Sequence, residues 1–300
     1  MAHFQDTTAR PHSYLLCRDG KLLVRALLLS MIALLSGIGA VQAQETDGRA
    51  LLLKTLTLYQ KFNSYSGQAN VDTIMVDSTG QTIKHIGSSS VMKLQRPNKI
   101  YIFFQTPIGS RSIYSDGANF SVFDPTPNQY LTVPTAPNTE GLLQLLLTRA
   151  DVAAGLDPLY FLTQKTLPAE LVNVKIKAST TFNGHQVYVI TGTTNVKPVV
   201  MKSGNTITTI PTSYWTWWID RTSSLLYKVE TRTPNIIKPV SFGNGATRTV
   251  KNVKGTLIMR HTVTEVKPDA NLKADEFVFN KPKTATAKVT AQDLLNKKGK

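Results

Sequence analysis

The residue types that most often do chemistry are thinly spread in this chain. Downstream of residue 43 it carries three histidines, His85, His185 and His261, and no cysteine, since the single Cys17 lies upstream. None of these histidines stands in a metal-ligand pair, and neither an H-E-x-x-H run nor an EF-hand loop occurs. Ser90-Val91-Met92-Lys93 matches S-x-x-K, a nucleophile motif that needs a helix start and partner motifs. Here it lies in a strand pattern without those partners. Paired carboxylates could cleave a glycosidic bond, but Asp116, Asp124, Asp157 and Asp220 all stand in turn sequences. There a carboxylate bonds nearby backbone N–H groups. A G-x-S-x-G elbow, a P-loop and a G-x-G-x-x-G turn are also missing. The expectation is a protein that is not an enzyme, with no catalytic residue, no metal and no cofactor.

Apolar surplus is what the sequence offers instead. "NKIYIFFQT" places Ile100, Ile102 and Phe104 on one face and Tyr101 and Phe103 on the other. "YWTWWID" sets Trp215, Trp217 and Ile219 against Tyr214 and Trp218. In a sheet with one solvated face, such strands carry more apolar surface than one core needs. The excess fits either a thick ordinary core or a cavity for an acyl chain or similar cargo. Strand parity directs Ile102, Phe104, Trp215, Trp217, Tyr227 and Val229 toward that interior. Leu225, Tyr227 and Val229 are expected on one face of their strand, with Lys228 and Glu230 on the other.

The elements that must position these residues follow from periodicity. Leu51, Leu52, Leu56, Tyr59 and Phe62 share one face of an amphipathic helix over 47–62. Two strands follow around Ser78-Thr79-Gly80, the second ended by Arg96-Pro97. A third strand and further short ones come next, with turns at Asp116-Gly117 and Asp124-Pro125. Residues 138–164 then read as helical, split at Asp157-Pro158. This insertion supplies a lid through Leu142, Leu146, Leu159 and Phe161. Strands resume at 172, with Asn183-Gly184 as a hairpin turn and a second hairpin around Arg221-Thr222-Ser223. A last long strand spans about 247–267, while 195–211 and 234–246 read as polar loops. The class is mainly β with helices. One strongly curved antiparallel sheet with helices on its concave face satisfies this order, as would a barrel or a sandwich.

Arg18, Lys21 and Arg25 precede the apolar run Ala26–Ala40, and Val41 and Ala43 make a small-residue cleavage pattern. This reads as a secretory signal over 1–43, cut before Gln44; the run is short of the roughly 20 residues of a spanning helix. A single domain is expected over 44–283, followed by a flexible basic tail over 284–300. Four of the 34 basic and two of the 19 acidic residues precede Gln44, so the remainder carries a net charge of about +13. In an exported protein that charge suits an anionic membrane surface or envelope proteins rather than nucleic acid.

The closing run "PDANLKADEFVFNKP", with Pro268, Asp275, Phe277, Phe279 and Pro282, resembles the end of proteins in the periplasmic lipoprotein-carrier, or LolA-like, superfamily. "YWTWWIDRTSSLLYKVE" is similar to that family's strand–turn–strand. Arg96-Pro97, Asp116-Gly117 and Tyr130 resemble a subgroup of predicted periplasmic proteins within it. The resemblance implies an open antiparallel half-barrel whose concave face is covered by helices and binds acyl chains. The reading is then a periplasmic, monomeric binding protein for a lipid or an acylated protein, acting as carrier or envelope sensor. Its alternative is a structural envelope protein with a filled core and a basic docking face.

Overall fold

A computed structural model describes residues 47–150, 152, 157–195, 201–203, 206–208, 212–242 and 249–287. The expected leader lies outside the described residues, as does the tail beyond residue 287.

The first helix, α1 (Gly48–Lys61), begins at Asp47, whose side chain accepts a hydrogen bond from the Arg49 N–H. The sheet then opens as a meander: β1 (Ser64–Val76), β2 (Thr82–Gln95), β3 (Lys99–Thr106), β4 (Gly109–Asp116), β5 (Asn119–Asp124) and β6 (Gln129–Pro134). Two helices interrupt it, α2 (Thr139–Arg149) and α3 (Pro158–Thr163). Both start on acceptor side chains: Asn138 for α2 and Asp157 for α3.

The sheet resumes with β7 (Leu171–Phe182) and β8 (His185–Thr194), joined by Asn183 and Gly184. Both turn residues hold positive φ, 48° and 82°, as a tight hairpin of this kind requires. Among the described residues, the strands β9 (Met201–Ser203) and β10 (Thr206–Thr208) pair only with each other. Finally come β11 (Ser213–Asp220), β12 (Leu226–Phe242), β13 (Thr249–Pro268) and the short β14 (Thr286–Ala287).

Twelve of these strands form one sheet in the order β14-β6-β5-β4-β3-β2-β1-β13-β12-β11-β8-β7. All neighbours are antiparallel except β14, which runs parallel to β6. The edge strands β14 and β7 do not meet, so the sheet is an open half-barrel rather than a closed barrel or a sandwich.

Two of the loop expectations are corrected. Residues 234–242 are strand: Ile236 to Phe242 pair with Gly255 to Thr249 as the outer part of a long β12–β13 hairpin. The prolines that suggested a loop are tolerated for identifiable reasons. Pro234 and Asn235 sit where the register shifts, with Asn235 at φ 58°. Pro239 lies beyond the last residue paired with β11, so no ladder bond is lost on that side. The segment expected as a loop over 195–211 contains the β9–β10 ribbon. The expected domain end is also passed, since Thr284 accepts from the Asn128 side chain and Thr286 and Ala287 pair with β6.

The helices fill one half of the concave face. Leu51, Leu52, Leu56 and Tyr59 of α1 are buried against Tyr65, Leu94, Ile100, Ile190, Trp217, Ile219 and Leu226 of the sheet. The Tyr59 hydroxyl accepts the Leu226 N–H at 3.2 Å. Gly48 lets the start of α1 abut β7, because a Cβ there would sit 2.7 Å from the Lys175 carbonyl carbon. Arg96 then ties the helices together. Its guanidinium donates to the carbonyls of Phe62 (2.9 Å) and Leu162 (3.0 Å) and to the Thr139 hydroxyl (3.0 Å).

Candidate cavity in the half-barrel

The other half of the concave face is not filled. Met92 of β2 stands opposite Ile102 of β3, and Ser90 opposite Phe104, so these side chains lie side by side on the inner face. Across the sheet, Val229 pairs with His261, and Trp215 pairs with Thr231. All of them line one cavity of about 600 Å³. In a flat sheet β3 and β11 would be roughly 24 Å apart, five strand spacings; both wall the same space because the sheet curves. The volume is that of an ordinary small-molecule site.

Ile102, Phe104, Trp215 and Val229 therefore stand together on the cavity wall. Two residues expected beside them do not. Trp217 shares the inward face, but one pleat deeper, under α1, and it is fully buried in the core. Its ring stacks on Trp215 at 6.0 Å and packs where a Cβ on Gly192 would come within 3.2 Å of it.

Tyr227 lies on the opposite face. The register between β11 and β12 shifts between Trp218 and Ile219, which pairs Ile219 with Leu226. This bulge turns Leu226 inward, fully buried, and leaves Tyr227 outside, stacked on His185 at 4.2 Å. Trp218 faces outward as parity requires, with the Lys228 ammonium 4.2 Å from its ring centroid.

The lid expectation divides in the same way. Leu159 reaches the cavity. Leu142, Leu146 and Phe161 are fully buried under the helical layer instead, with Phe161 against Tyr59 at 5.9 Å. For Phe161 the reason is α1, whose Tyr59 ring it packs against. Amphipathic periodicity finds that helix but not the surface it covers.

Several cavity residues were not singled out by sequence reasoning. Arg111 of β4 forms a two-pronged pair with Asp124, Nε–Oδ1 2.6 Å and Nη2–Oδ2 3.2 Å. Its remaining Nη1 donates to the Ala150 carbonyl at 2.6 Å, so one side chain fixes the end of α2 to the cavity wall. Asp124 thus serves this pair, unlike Asp116 and Asp220, which accept backbone N–H groups within their own turns.

Asp157 and His261 also face the cavity. Burial raises the Asp157 carboxyl above its ordinary range, against the pull of His261 and nearby backbone N–H groups. Burial lowers the His261 imidazole, with Asp157 opposing. Among the described residues no group of three or more His, Cys, Asp or Glu is placed to hold a metal ion. What the arrangement offers is a chamber with apolar walls on which the Arg111–Asp124 pair, Asp157, His261 and Arg260 also stand.

The sequence profile of the family described as "Predicted periplasmic protein (DUF2092)" matches residues 48–222, more than half of the chain. The chain belongs to the DUF2092 family. That description places the protein in the periplasm, the compartment implied by its leader-like N-terminus. It also agrees with the resemblance of Arg96-Pro97, Asp116-Gly117 and Tyr130 to a subgroup of predicted periplasmic proteins. No curated protein matches the sequence.

Among solved structures, the Mycobacterium tuberculosis lipoprotein LppX is similar to this DUF2092 member at 14% identity, covering 75% of this chain and 98% of its own, with a TM-score of 0.40. LprF from Mycobacterium bovis is similar at 10% identity, covering 80% and 97%, with a TM-score of 0.36. A putative outer membrane lipoprotein-sorting protein domain from Vibrio parahaemolyticus is similar at 10% identity, covering 75% and 94%, with a TM-score of 0.29.

Proposed function

We propose that this periplasmic protein binds the hydrocarbon part of a lipid or of an acylated protein in the half-barrel cavity, as a carrier or an envelope sensor. The observation that carries the reading is the unfilled half of the concave face, about 600 Å³ walled by Met92, Ile102, Phe104, Leu159, Trp215 and Val229. A structural protein with a filled core has no use for such a chamber, because apolar walls left open to water forgo the gain of burial. Burying an acyl chain gains about 0.8 kcal/mol per methylene, so binding needs no charged contact. The likeness to mycobacterial lipoproteins and to a lipoprotein-sorting domain has the same direction but is too distant to add weight.

Native mass spectrometry of the purified protein tests the proposal, together with titration by an uncharged fluorescent acyl ester. The expected result is co-purified lipid and saturable probe binding. Phe104 stands on the wall and is only partly buried, so Phe104→Arg puts a charge into the chamber without opening the core. It is expected to weaken probe binding at least tenfold, on the order of the cost of desolvating a charge, with the β circular-dichroism spectrum unchanged. A lipid-free wild type that ignores the probe would sink the reading.

A further inference from the structure

Two polar side chains inside the cavity have no direct hydrogen bond to spend on each other. The His261 Nδ1 of β13 and the Asp157 Oδ2 at the start of α3 stand 3.8 Å apart, too far for one. Asp157 Oδ1 is committed to capping α3 through the Tyr160 N–H at 3.3 Å. Further backbone N–H groups at the start of α3 face the Asp157 carboxyl, while among the described residues neither ring nitrogen of His261 makes a hydrogen bond. The two side chains keep 17% and 22% of their surface, and both line the cavity. Their remaining hydrogen-bonding capacity is therefore directed at whatever occupies the cavity.

We infer that this pair is the specificity point of the cavity, and that it takes the free hydroxyl of an uncharged lipid. This rests on the lipid-binding reading above. A hydroxyl oxygen seated beside the gap donates to one group and accepts from the other without bringing a charge into the chamber. A fixed charge suits the place poorly. Burial pushes Asp157 and His261 toward their neutral forms, so the site offers no settled counter-charge.

The other charged groups near the cavity are already engaged. Arg111 is held by Asp124 and the Ala150 carbonyl, and Arg260 by Glu230. A carboxylate or phosphate buried here would find, among the described residues, no cation free to offset its charge. The ligand class is therefore a neutral lipid whose chain or glycerol backbone bears a hydroxyl.

The test compares methyl stearate, methyl 3-hydroxystearate, methyl 12-hydroxystearate and monostearin as displacers of the fluorescent acyl ester. The wild type is expected to bind at least one hydroxylated member about tenfold more tightly than methyl stearate, the worth of one or two net hydrogen bonds. Asp157→Ser keeps a capping oxygen for α3 while withdrawing the cavity-facing one, and His261→Phe removes the imidazole. Each is expected to abolish the preference, read as the ratio of each analogue's affinity to that of methyl stearate in the same variant, since an apolar chain has no hydroxyl to offer the pair. Equal wild-type affinities across the series overturn the inference, as does a preference that survives both substitutions; the lipid-binding reading stands in either case. If methyl stearate and every analogue fail to bind, both fall.

Discussion

Trp217 and Glu230 lie on neighbouring strands, and each shows how one position is decided by the face it occupies. Trp217 points in, and its indole fills the space that Gly192 leaves open. Glu230 points out and is nonetheless mostly covered, accepting from Arg232 Nε at 2.8 Å and from Arg260 Nε and Nη2 at 3.1 and 3.0 Å. Burial alone would raise the Glu230 carboxyl. The hydrogen bonds and charges of Arg232 and Arg260 outweigh it and hold the group below its ordinary range. In the unfolded chain Glu230 protonates near the usual glutamate value, about 4.3. In the fold it keeps its charge to lower pH, so its contribution is complete above that value and vanishes as pH falls through the lowered folded pKa. Glu230→Gln is thus expected to cost about 1–2 kcal/mol at pH 7, the scale of charge-assisted hydrogen bonds. Urea melts at pH 7 and pH 3.5 check this: the gap between wild type and variant should shrink at the lower pH. A gap that is unchanged would mean that the arginines do not recognise the charge.

At the scale of elements, Arg96 decides whether three helices behave as one layer. It contacts the end of α1 through the Phe62 carbonyl, the start of α2 through Thr139 and the end of α3 through Leu162. A lysine offers one point charge and three donors on a single atom, without the planar fork that spans these partners. Arg96→Lys is expected to cost about 2–3 kcal/mol, because buried carbonyls lose their donors. Hydrogen exchange should show α1 and α3 exchanging faster while β1 and β13 keep their protection. Much of this layer was legible in sequence. The caps at Asp47, Asn138 and Asp157, the Asn183-Gly184 hairpin and the alternation of Trp215, Trp217 and Trp218 are all local signals. What escaped is set by distant partners. Nothing near Tyr227 announces the bulge that turns it outward, because that bulge exists only in the pairing with β11. Pro234 and Pro239 read as loop because the β13 residues that hold them in strand lie a dozen or more positions downstream. Arg111, Asp157 and His261 meet in the cavity from three separate parts of the chain, and sequence spacing carries no trace of it.

For the molecule as a whole, the question is what keeps an open, curved sheet with half its concave face unfilled. Helices α1 to α3 cover part of it, and beside them an apolar wall stays open as the cavity. An occupant that binds the folded chain alone stabilises it by mass action, about 2.7 kcal/mol at a free concentration one hundred times Kd. In a domain of this size each kcal/mol moves Tm by about 2–4 °C. Protein stripped of lipid by denaturing chromatography and refolded should therefore melt roughly 5–10 °C below the same protein refolded with its own lipid extract. The shift should fall by about half or more in Phe104→Arg, as a loss of affinity of tenfold or more implies, and this separates cavity occupancy from lipid adsorbed on the basic surface. If the stripped protein melts at the same temperature with and without the extract, the helical layer has collapsed into the open half. The cavity would then be a feature of one packing arrangement rather than a binding site.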